Sequence, residues 1–477
     1  MTETKIRQGP IVALLLAGTF ISILNQTLMI TAIPPIMHEM NITANSAQWL
    51  TTIFMLVNGI MIPVSAFLIE RFTTRQLFIT AMSVFTVGTL ACSLAPNFEM
   101  LLMGRVIQSC GAGVMLPLMQ TVFLMIFPVN RRGAAMGLVG LVISFAPAIG
   151  PALSGWVTSH YSWRVLFFII LPIALIDILI AFLTLKNVTE VSKPKVDVLS
   201  IILSSFGFGG LLYGFTSAGN FGWLHSITLA SLGIGSLALF MFISRQIRLK
   251  HPMLEFRVFA YSIFPHAIII GMIGFMGLIG AETIIPLFMQ NMREFSAFDA
   301  GLALLPGALI SGFMAPFIGR VFDRVGARWL VIVGLVIVTA SSFAFTKLGP
   351  TTSMMFITVM YGIRMFGLSM VMMPVATAAL NQLPKRLIPH GAAMDNTMKM
   401  IAASVGTAIL VTVMTTTAET AAHRPDVSNP DMYGANMAFM VVAVLSLATL
   451  ILSLFIKNTP VPEEEQPKRK MKVNMQE

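Results

Sequence analysis

Fourteen long and nearly uninterrupted apolar stretches constrain this chain more than any other feature. Each has on the order of 20 residues, the length of α-helix that crosses the hydrocarbon core of a bilayer. The stretches are continuous and do not alternate in segments of about ten, so they predict helices and not barrel strands. The sequence therefore predicts an all-α, polytopic membrane protein. Its spans lie at approximately 10–35, 45–69, 75–95, 98–126, 134–158, 163–186, 197–217, 226–245, 261–289, 299–320, 328–346, 351–378, 389–416 and 434–457.

Composition excludes the other broad classes. Of 477 residues, 56% are hydrophobic and only 10% are charged, against about 45–50% and about 25% in an ordinary soluble domain. A disordered chain needs the opposite balance. The net charge of +10 is scattered between apolar runs without a basic, aromatic-bearing stripe, so no nucleic acid partner is expected. Cys92 and Cys110 lie inside apolar runs, and no metal-ligand spacing or cofactor motif is present.

The loops between the spans differ sharply in positive charge. The N-terminus, the loops after even-numbered spans and the C-terminal tail hold 23 Lys and Arg residues, whereas the opposite loops hold four. Basic residues concentrate on the cytoplasmic side of a membrane protein. The sequence therefore predicts cytoplasmic N- and C-termini in a multi-pass protein of the cell membrane.

The chain also repeats itself. Ile-Pro at 33–34 recurs at 285–286, an acid-Arg-x-x-x-Arg pattern at 70–75 recurs at 323–328, and Gly-Ala-Ala-Met at 133–136 recurs at 391–394. The offsets of 252, 253 and 258 residues place each copy at an equivalent point between spans. We therefore predict two related six-helix halves. The predicted boundaries are 1–186 for the N-terminal half, 187–257 for inserted spans seven and eight, 258–457 for the C-terminal half and 458–477 for a cytoplasmic tail.

Two parallel halves related by an axis along the membrane normal are typical of secondary transporters that rock around a site at the bilayer midplane. The phosphate-binding pattern Gly-x-x-x-x-Gly-Lys-Ser/Thr is absent from the sequence. ATP is therefore not the evident energy source.

Four motifs are distributed over these spans. The loops after spans two and ten carry the repeated acid-arginine pattern, and span four contains an arginine inside an apolar run. Span five is rich in Gly and Pro, and Trp163-Arg164 begins span six. Together they resemble the major facilitator superfamily, in its fourteen-span drug:proton antiporter branch, which includes multidrug and lincomycin-type efflux transporters. The motif residues are Glu70, Arg71, Arg75, Asp323, Arg324 and Arg328 in the loops, Arg105 in span four, and Gly140, Pro147, Gly150, Pro151 and Gly155 in span five.

The resemblance implies the fold and activity of that branch: two six-helix halves with a two-helix insert, exporting drugs in exchange for protons. It also implies a conformational role for the span-five motif, for which ordinary packing of small residues is the alternative. Span one departs from the family pattern because Asn25 stands where many members carry Asp. The role of that Asp is therefore not transferred to Asn25.

The repeated acid-arginine spacing at cytoplasmic helix ends suggests gating. Ion pairs of Glu70 and Asp323 there can hold one face shut and open when the halves rock. The alternative is that the arginines only set topology, although topology alone does not explain the paired spacing.

Ionisable residues inside apolar spans are costly and usually functional. Glu282 follows a glycine-rich stretch in span nine and is the leading candidate for a proton site, with Asp177, Asp395 and Arg105 as further candidates. A structural ion pair with Lys399, four residues along the same helix, is the alternative for Asp395. For Asp177 the alternative is a hydrogen bond between helices or exposure at the interface.

A central cavity between the halves is expected to bind substrate. Met and Phe side chains adapt to varied lipophilic molecules, and aromatic rings attract cations. Polar residues in apolar spans can orient a ligand. The predicted cavity residues are Asn25, Gln26, Gln120, Phe275, Phe366 and Met370, with Asn25, Gln26 and Arg105 expected to face Glu282.

The sequence and the resemblance together predict a proton-coupled exporter of amphipathic or cationic drugs, monomeric and surrounded by membrane lipids. Export of an endogenous metabolite, lipid or amino acid is the alternative within transport. A membrane enzyme is not expected, because no nucleophile-base pattern or metal cluster is evident in the sequence. A non-transporting sensor would normally carry a soluble output domain, whereas only a short charged segment follows Lys457.

Overall fold

The computed structural model describes residues 8–189, 191–192, 194–425 and 427–455. Fourteen helices in this part of the chain are long and apolar enough to cross a membrane, which confirms the predicted fourteen-span, all-α class. The predicted tail at 458–477 lies outside the described residues. The helices are α1 Gln8–Met40, α2 Ala44–Arg71, α3 Thr74–Ser93, α4 Phe98–Ile126, α5 Arg132–His160, α6 Arg164–Thr184, α7 Val198–Phe221, α8 Ser226–Arg248, α9 Ile263–Leu287, α10 Ala297–Val325, α11 Ala327–Ala344, α12 Met354–Asn381, α13 Ile388–Ala422 and α14 Pro430–Ser453.

Local sequence explains several helix starts. Thr73 precedes α3 and Ser296 precedes α10, and each hydroxyl accepts a hydrogen bond from the backbone N–H three residues later. The side chains of Gln76 and Asp299 in turn accept a hydrogen bond from the backbone N–H of the capping residue. These reciprocal bonds complete a capping box in both helices. The caps thus satisfy backbone donors that lipid cannot bind.

Two helices run further than hydropathy predicts. α1 continues through Pro34 and Pro35 to Met40, beyond the predicted end at 35. α13 has 35 residues and ends at Ala422, whereas the apolar run stops near 416. Polar residues end an apolar run but not a helix, because tertiary packing carries the helix beyond the hydrocarbon region.

The helices form two bundles with equivalent internal packing. α1 packs against α5 as α9 packs against α13, α3 packs against α4 as α11 packs against α12, and α2 packs against α4 as α10 packs against α12. The bundles meet along two seams, α5 with α10 and α2 with α13. The same two positions in each repeat therefore form the interface between the halves.

The remaining pair, α7 and α8, packs as a hairpin on the outside of one seam. α7 contacts α2 and α13, and α8 packs against α7. At the base of the hairpin, the Asp197 carboxylate accepts hydrogen bonds from Arg245 at 2.9 and 3.1 Å. Burial opposes ionisation there, but the hydrogen bonds from Arg245 and Ser200 lower the pKa of Asp197. A salt bridge between Asp197 and Arg245 thus joins the two helices of the hairpin at one end.

The start of α1 and the end of α14 lie at one membrane face, called the terminal face here, because the number of described spans is even. The Gln8 side chain at the start of α1 donates to the Ile126 carbonyl at the end of α4. At the opposite face, Glu39 at the end of α1 binds Arg164 and Trp163 at the start of α6. The hydrogen bond from Arg164 outweighs burial and lowers the pKa of Glu39.

Glycines allow the backbones of α5 and α10 to touch near the terminal face. A β-carbon on Gly137 would lie 2.5 Å from the Ala315 carbonyl oxygen and 2.8 Å from Pro316 Cα. A β-carbon on Gly319 would overlap the Gly133 carbonyl oxygen. Small residues are the usual means of close helix approach in membranes, and here they build the seam between the halves.

We expect Gly137→Ala to lower the free energy of unfolding by about 1–3 kcal/mol, because the new methyl group meets backbone atoms that cannot move aside. Gly155→Ala in the same helix is the matched control, since a β-carbon there would meet no neighbouring side chain or helix within 4 Å. That substitution should be neutral or stabilising by up to about 1 kcal/mol. Thermal unfolding of the reconstituted protein distinguishes them, and equal melting temperatures would contradict the packing described.

Candidate functional site

A fully buried arginine occupies the centre of the first half. Arg105 of α4 donates from Nη1 to Asn25 Oδ1 at 2.6 Å and to Gln108 Oε1 at 2.8 Å. Its Nε donates to the Leu50 carbonyl at 3.2 Å, and the guanidinium lies 4.2 Å from the centroid of the Phe54 ring. These partners belong to α1, α2 and α4. The charge is thus surrounded by neutral acceptors and an aromatic face.

The second half contains a counterpart, Arg364 of α12. It follows Arg105 by 259 residues, within one residue of the largest repeat offset. Arg364 is fully buried and donates from Nη2 to the Gly277 carbonyl at 2.9 Å and from Nη1 to the Ser342 hydroxyl. Gly277 follows Asn25 by 252 residues, so the same position of the first helix in each half binds the arginine.

Sequence reasoning missed Arg364, which is absent from the predicted site residues although it lies inside an apolar span. The signal that identifies it is the repeat offset from Arg105, which is among them. The two arginines place the same cation at equivalent points of the two bundles.

Glu282 of α9 contacts α12, the helix that carries this second arginine. Its Oε1 accepts a long hydrogen bond, 3.4 Å, from the hydroxyl of Tyr361, which lies one helical turn before Arg364 on α12. Glu282 is half-buried, whereas Tyr361 is buried. The carboxyl thus contacts a neutral donor and remains reachable from one side.

The structure brings Asn25 and Arg105 together but does not join either of them to Glu282. Gln26 is half-buried and forms no hydrogen bond with another described residue. The predicted apolar cavity residues Phe275, Phe366 and Met370 are half-buried on α9 and α12. Each therefore keeps some surface that is not packed against protein.

Gln120 lies at a contact between the two halves. It is buried, and its Oε1 accepts a hydrogen bond of 2.6 Å from Asn396 of α13. The amide pair therefore joins α4 of the first half to α13 of the second.

The other two candidate carboxyls lie in separate environments. Asp395 of α13 binds Lys399 at 2.7 Å within the same helix, and both side chains are buried. Asp177 of α6 is buried against α1, where a β-carbon on Gly18 would lie 2.9 Å from its Oδ2. That oxygen has no hydrogen-bond partner among the described residues. Asp177 therefore lies inside the first bundle, away from both seams.

Both acids of the repeated loop motif reach across to the other half at the terminal face. Glu70 Oε1 lies 2.9 Å from Nε2 of His390, at the start of α13. Asp323 accepts hydrogen bonds from the backbone N–H groups of Gly133 at 2.7 Å and Ala134 at 2.9 Å, at the start of α5. An anion at a helix N-terminus is stabilised by the helix dipole and the free N–H groups.

The arginines of the same motif do not pair with these acids. Arg71 donates to the Pro194 carbonyl at 2.6 Å, and Arg75 donates to the Phe182 carbonyl at 2.5 Å. Arg324 and Arg328 are exposed and donate no hydrogen bond to another described residue. The acids therefore contact the other half and not the neighbouring arginines. His390, which sequence reasoning missed, directly precedes the repeated Gly-Ala-Ala-Met segment at 391–394.

The Gly and Pro residues of α5 lie along a helix that is in contact with both halves. A β-carbon on Gly140 would lie 2.7 Å from Met373 Cγ, and one on Gly150 would overlap Thr27 of α1. The carbonyl of Pro151 accepts a 3.4 Å hydrogen bond from Thr31. α5 remains helical through Pro147 and Pro151. Gly155 has no such close neighbour.

Comparison with known proteins supplies the family. The model of the Major Facilitator Superfamily matches residues 15–407, which is most of the chain. The chain belongs to the major facilitator superfamily. The two six-helix bundles are this superfamily's fold, to which α7 and α8 are an addition, and the protein is a multi-pass membrane transporter.

Close relatives of this superfamily member are bacterial. The MFS-type transporter YcnB of Bacillus subtilis is 55% identical over 98% of this chain and 100% of its own length. The lincomycin resistance protein LmrB of Bacillus subtilis is 41% identical over 94% of this chain and 96% of its own. Among solved structures, the human organic anion transporter MFSD10 superposes with a TM-score of 0.68 at 13% identity, covering 94% of this chain and 99% of its own.

In this major facilitator protein, we expect Asn25→Leu to lower the free energy of unfolding by about 1–3 kcal/mol, because it leaves a buried guanidinium N–H without an acceptor. Asn25→Asp keeps the shape and supplies a charged acceptor, so it should be at least as stable as the parent. Gln26→Leu, at the next position of α1, is the control. Thermal unfolding of all three variants is the measurement, and an Asn25→Leu protein as stable as Gln26→Leu would count against the Arg105 network.

Proposed function

We propose that this protein is a proton-coupled antiporter that exports amphipathic or cationic drugs across the cytoplasmic membrane. The observation that supports it best is Glu282, a half-buried carboxyl on a glycine-rich span with only a long hydrogen bond from Tyr361. Relatives named as lincomycin resistance proteins support drug export. The protein is proposed to act as a monomer with its termini in the cytoplasm, on the strength of its loop charges.

With that orientation, the terminal face is cytoplasmic and closed. At this face the halves are joined by the hydrogen bonds Glu70–His390 and Asp323–Gly133. Near the middle of α5 and α10 they are joined by the hydroxyl groups of Ser144 and Ser311, 3.0 Å apart. Among the described residues, no hydrogen bond joins the two halves nearer the opposite face. The arrangement supports an outward-facing conformation.

Coupling is proposed to arise from competition at Glu282. Removal from water favours the neutral form of a carboxyl, so a protonated Glu282 tolerates the apolar cavity. A cationic substrate is stabilised by the ionised form, so the proton and the cation exclude one another. Alternating access then exchanges an incoming proton for an outgoing drug. The half-buried Phe275, Phe366 and Met370 are proposed to contact the apolar part of the substrate.

The second half is proposed to carry this step because the first half lacks the acid. Asn25 occupies the position at which many members of the branch have Asp, and it already binds Arg105. Buried Asp395 is neutralised by Lys399, and Asp177 lies within the first bundle. Asp177 and Glu282 both lack a cationic partner among the described residues, but Asp177 is packed against α1 inside its bundle, so Glu282 is the carboxyl we propose for coupling. Export of an endogenous metabolite, lipid or amino acid stays the alternative, for which the same proton site would serve.

Glu282→Gln mimics the permanently protonated carboxyl, so we expect it to abolish uphill, proton-driven export of dyes and antibiotics in everted vesicles. Expression and membrane insertion should be unaffected. Asp177→Asn and Asp395→Asn are the matched controls. If Glu282→Gln still drives uphill export at the parent rate under an imposed proton gradient, Glu282 does not couple transport.

Glu70→Gln and Asp323→Asn should open the terminal face, since each removes an anionic contact between the halves. The measurement is labelling of Met370→Cys by an impermeant thiol reagent applied from the cytoplasmic side, which should increase in both variants. Arg324→Gln removes an exposed charge at the same face and should leave labelling unchanged. Identical labelling in all three would remove the gating role.

A further inference from the structure

A cavity outside the interface between the halves lies at the end of the inserted hairpin. It has a volume of about 470 Å³, within the range of about 300–1,000 Å³ typical of ligand sites. Its wall on one side is the α7–α8 turn with Phe221, Trp223 and His225, and on the other side the threonine-bearing face of α13 around Thr415 and Thr416.

The position along α13 places this cavity at the opposite membrane face. Thr416 lies 28 residues after the start of α13 at Ile388, about 42 Å along the helix at 1.5 Å per residue. The hydrocarbon core is only about 30 Å thick and the bilayer with its headgroups about 40–45 Å. The cavity therefore opens where acyl chains give way to headgroups.

The lining is aromatic on one side and hydroxylic on the other. The Trp223 indole is fixed by a 2.8 Å hydrogen bond from Nε1 to the Thr412 hydroxyl. The Phe221 and His225 rings stack with their centroids 5.2 Å apart, and both side chains are exposed. Such rings at an interface hold the apolar part of an amphiphile and attract a cation.

One acid lies just beyond the threonines. Glu419 follows Thr415 by one helical turn on the same face of α13, so it is about 6 Å further from the membrane centre. Its side chain is exposed, and it forms no ion pair with another described residue. The polarity thus runs from aromatic rings, through hydroxyl groups, to a carboxylate, in the direction in which an amphiphile in that leaflet would point its head.

We propose that this cavity is a peripheral binding site for a cationic amphiphile drawn from the membrane, with its apolar body against Trp223 and Phe221 and its cationic head at Glu419. The site is separate from Glu282, and it does not depend on the proposed proton coupling. Anionic amphiphiles of the same chain length bind more weakly, because the carboxylate repels their heads.

The test is photo-crosslinking of the full-length protein in phosphatidylcholine nanodiscs with a benzophenone-bearing alkyltrimethylammonium, followed by peptide mapping. Adducts should fall on 218–225 and 411–416. Glu419→Gln should raise the probe concentration that gives half-maximal labelling about two- to fivefold, which is the effect of losing one exposed charge contact. An alkyl sulfate probe should give little labelling of these segments.

Two controls separate this site from others. Glu99→Gln removes an exposed acid from the same membrane face at the start of α4 and should leave labelling unchanged. Glu282→Gln should also leave it unchanged, so a failure of proton coupling and a failure of this site are distinguishable. Adducts confined to other segments, or equal labelling by the cationic and anionic probes, would overturn the proposal. So would a Glu419→Gln protein that labels like the parent.

Discussion

Lipid offers no hydrogen bonds, and this one constraint governs most of the structure. Backbone N–H and C=O groups in the spans need partners within the protein, so the described backbone is helical through each span. Hydroxyl groups such as those of Thr86 and Ser446 bond to the carbonyl four residues earlier. The costliest groups, the guanidiniums of Arg105 and Arg364, are placed where three helices meet. The partners of each guanidinium come from several helices, so the arginine also links the helices of its bundle.

The two halves differ in the groups that surround their buried arginines. The first arginine is surrounded by the amides of Asn25 and Gln108, whereas the second binds a backbone carbonyl and a serine hydroxyl and lies close to an acid through Tyr361. Equivalent backbones thus support different chemistry. The two bundles therefore differ in the groups around their central arginines without differing in fold.

Spans, helical class and the superfamily followed from the sequence because hydrophobicity and the repeat are properties of the chain itself. Interaction partners did not. Glu70 lies one residue from Arg71, yet it pairs with His390, 320 residues away, because the helix geometry directs the two neighbours differently. Arg364 could have been found from the offset of Arg105. Gln120 was named from the sequence, but only the packing of α4 on α13 shows that its amide partner is Asn396. Sequence locates costly groups, and tertiary structure decides what compensates them.

The inserted hairpin has a mechanical consequence. The α7–α8 turn is held to α13 by the Trp223–Thr412 hydrogen bond. The contacts of α7 with α2 are made by apolar atoms, with Leu212 over Gly59 and Ile60 over Gly209. The described residues form no hydrogen bond between α2 and α7. The hairpin is therefore bonded to the second half by a directional hydrogen bond, whereas in the described residues only non-directional apolar contacts join it to the first half. If the bundles rock as proposed, we expect the hairpin to move with the second half while α2 shifts against its apolar surface, which would keep this seam covered from lipid.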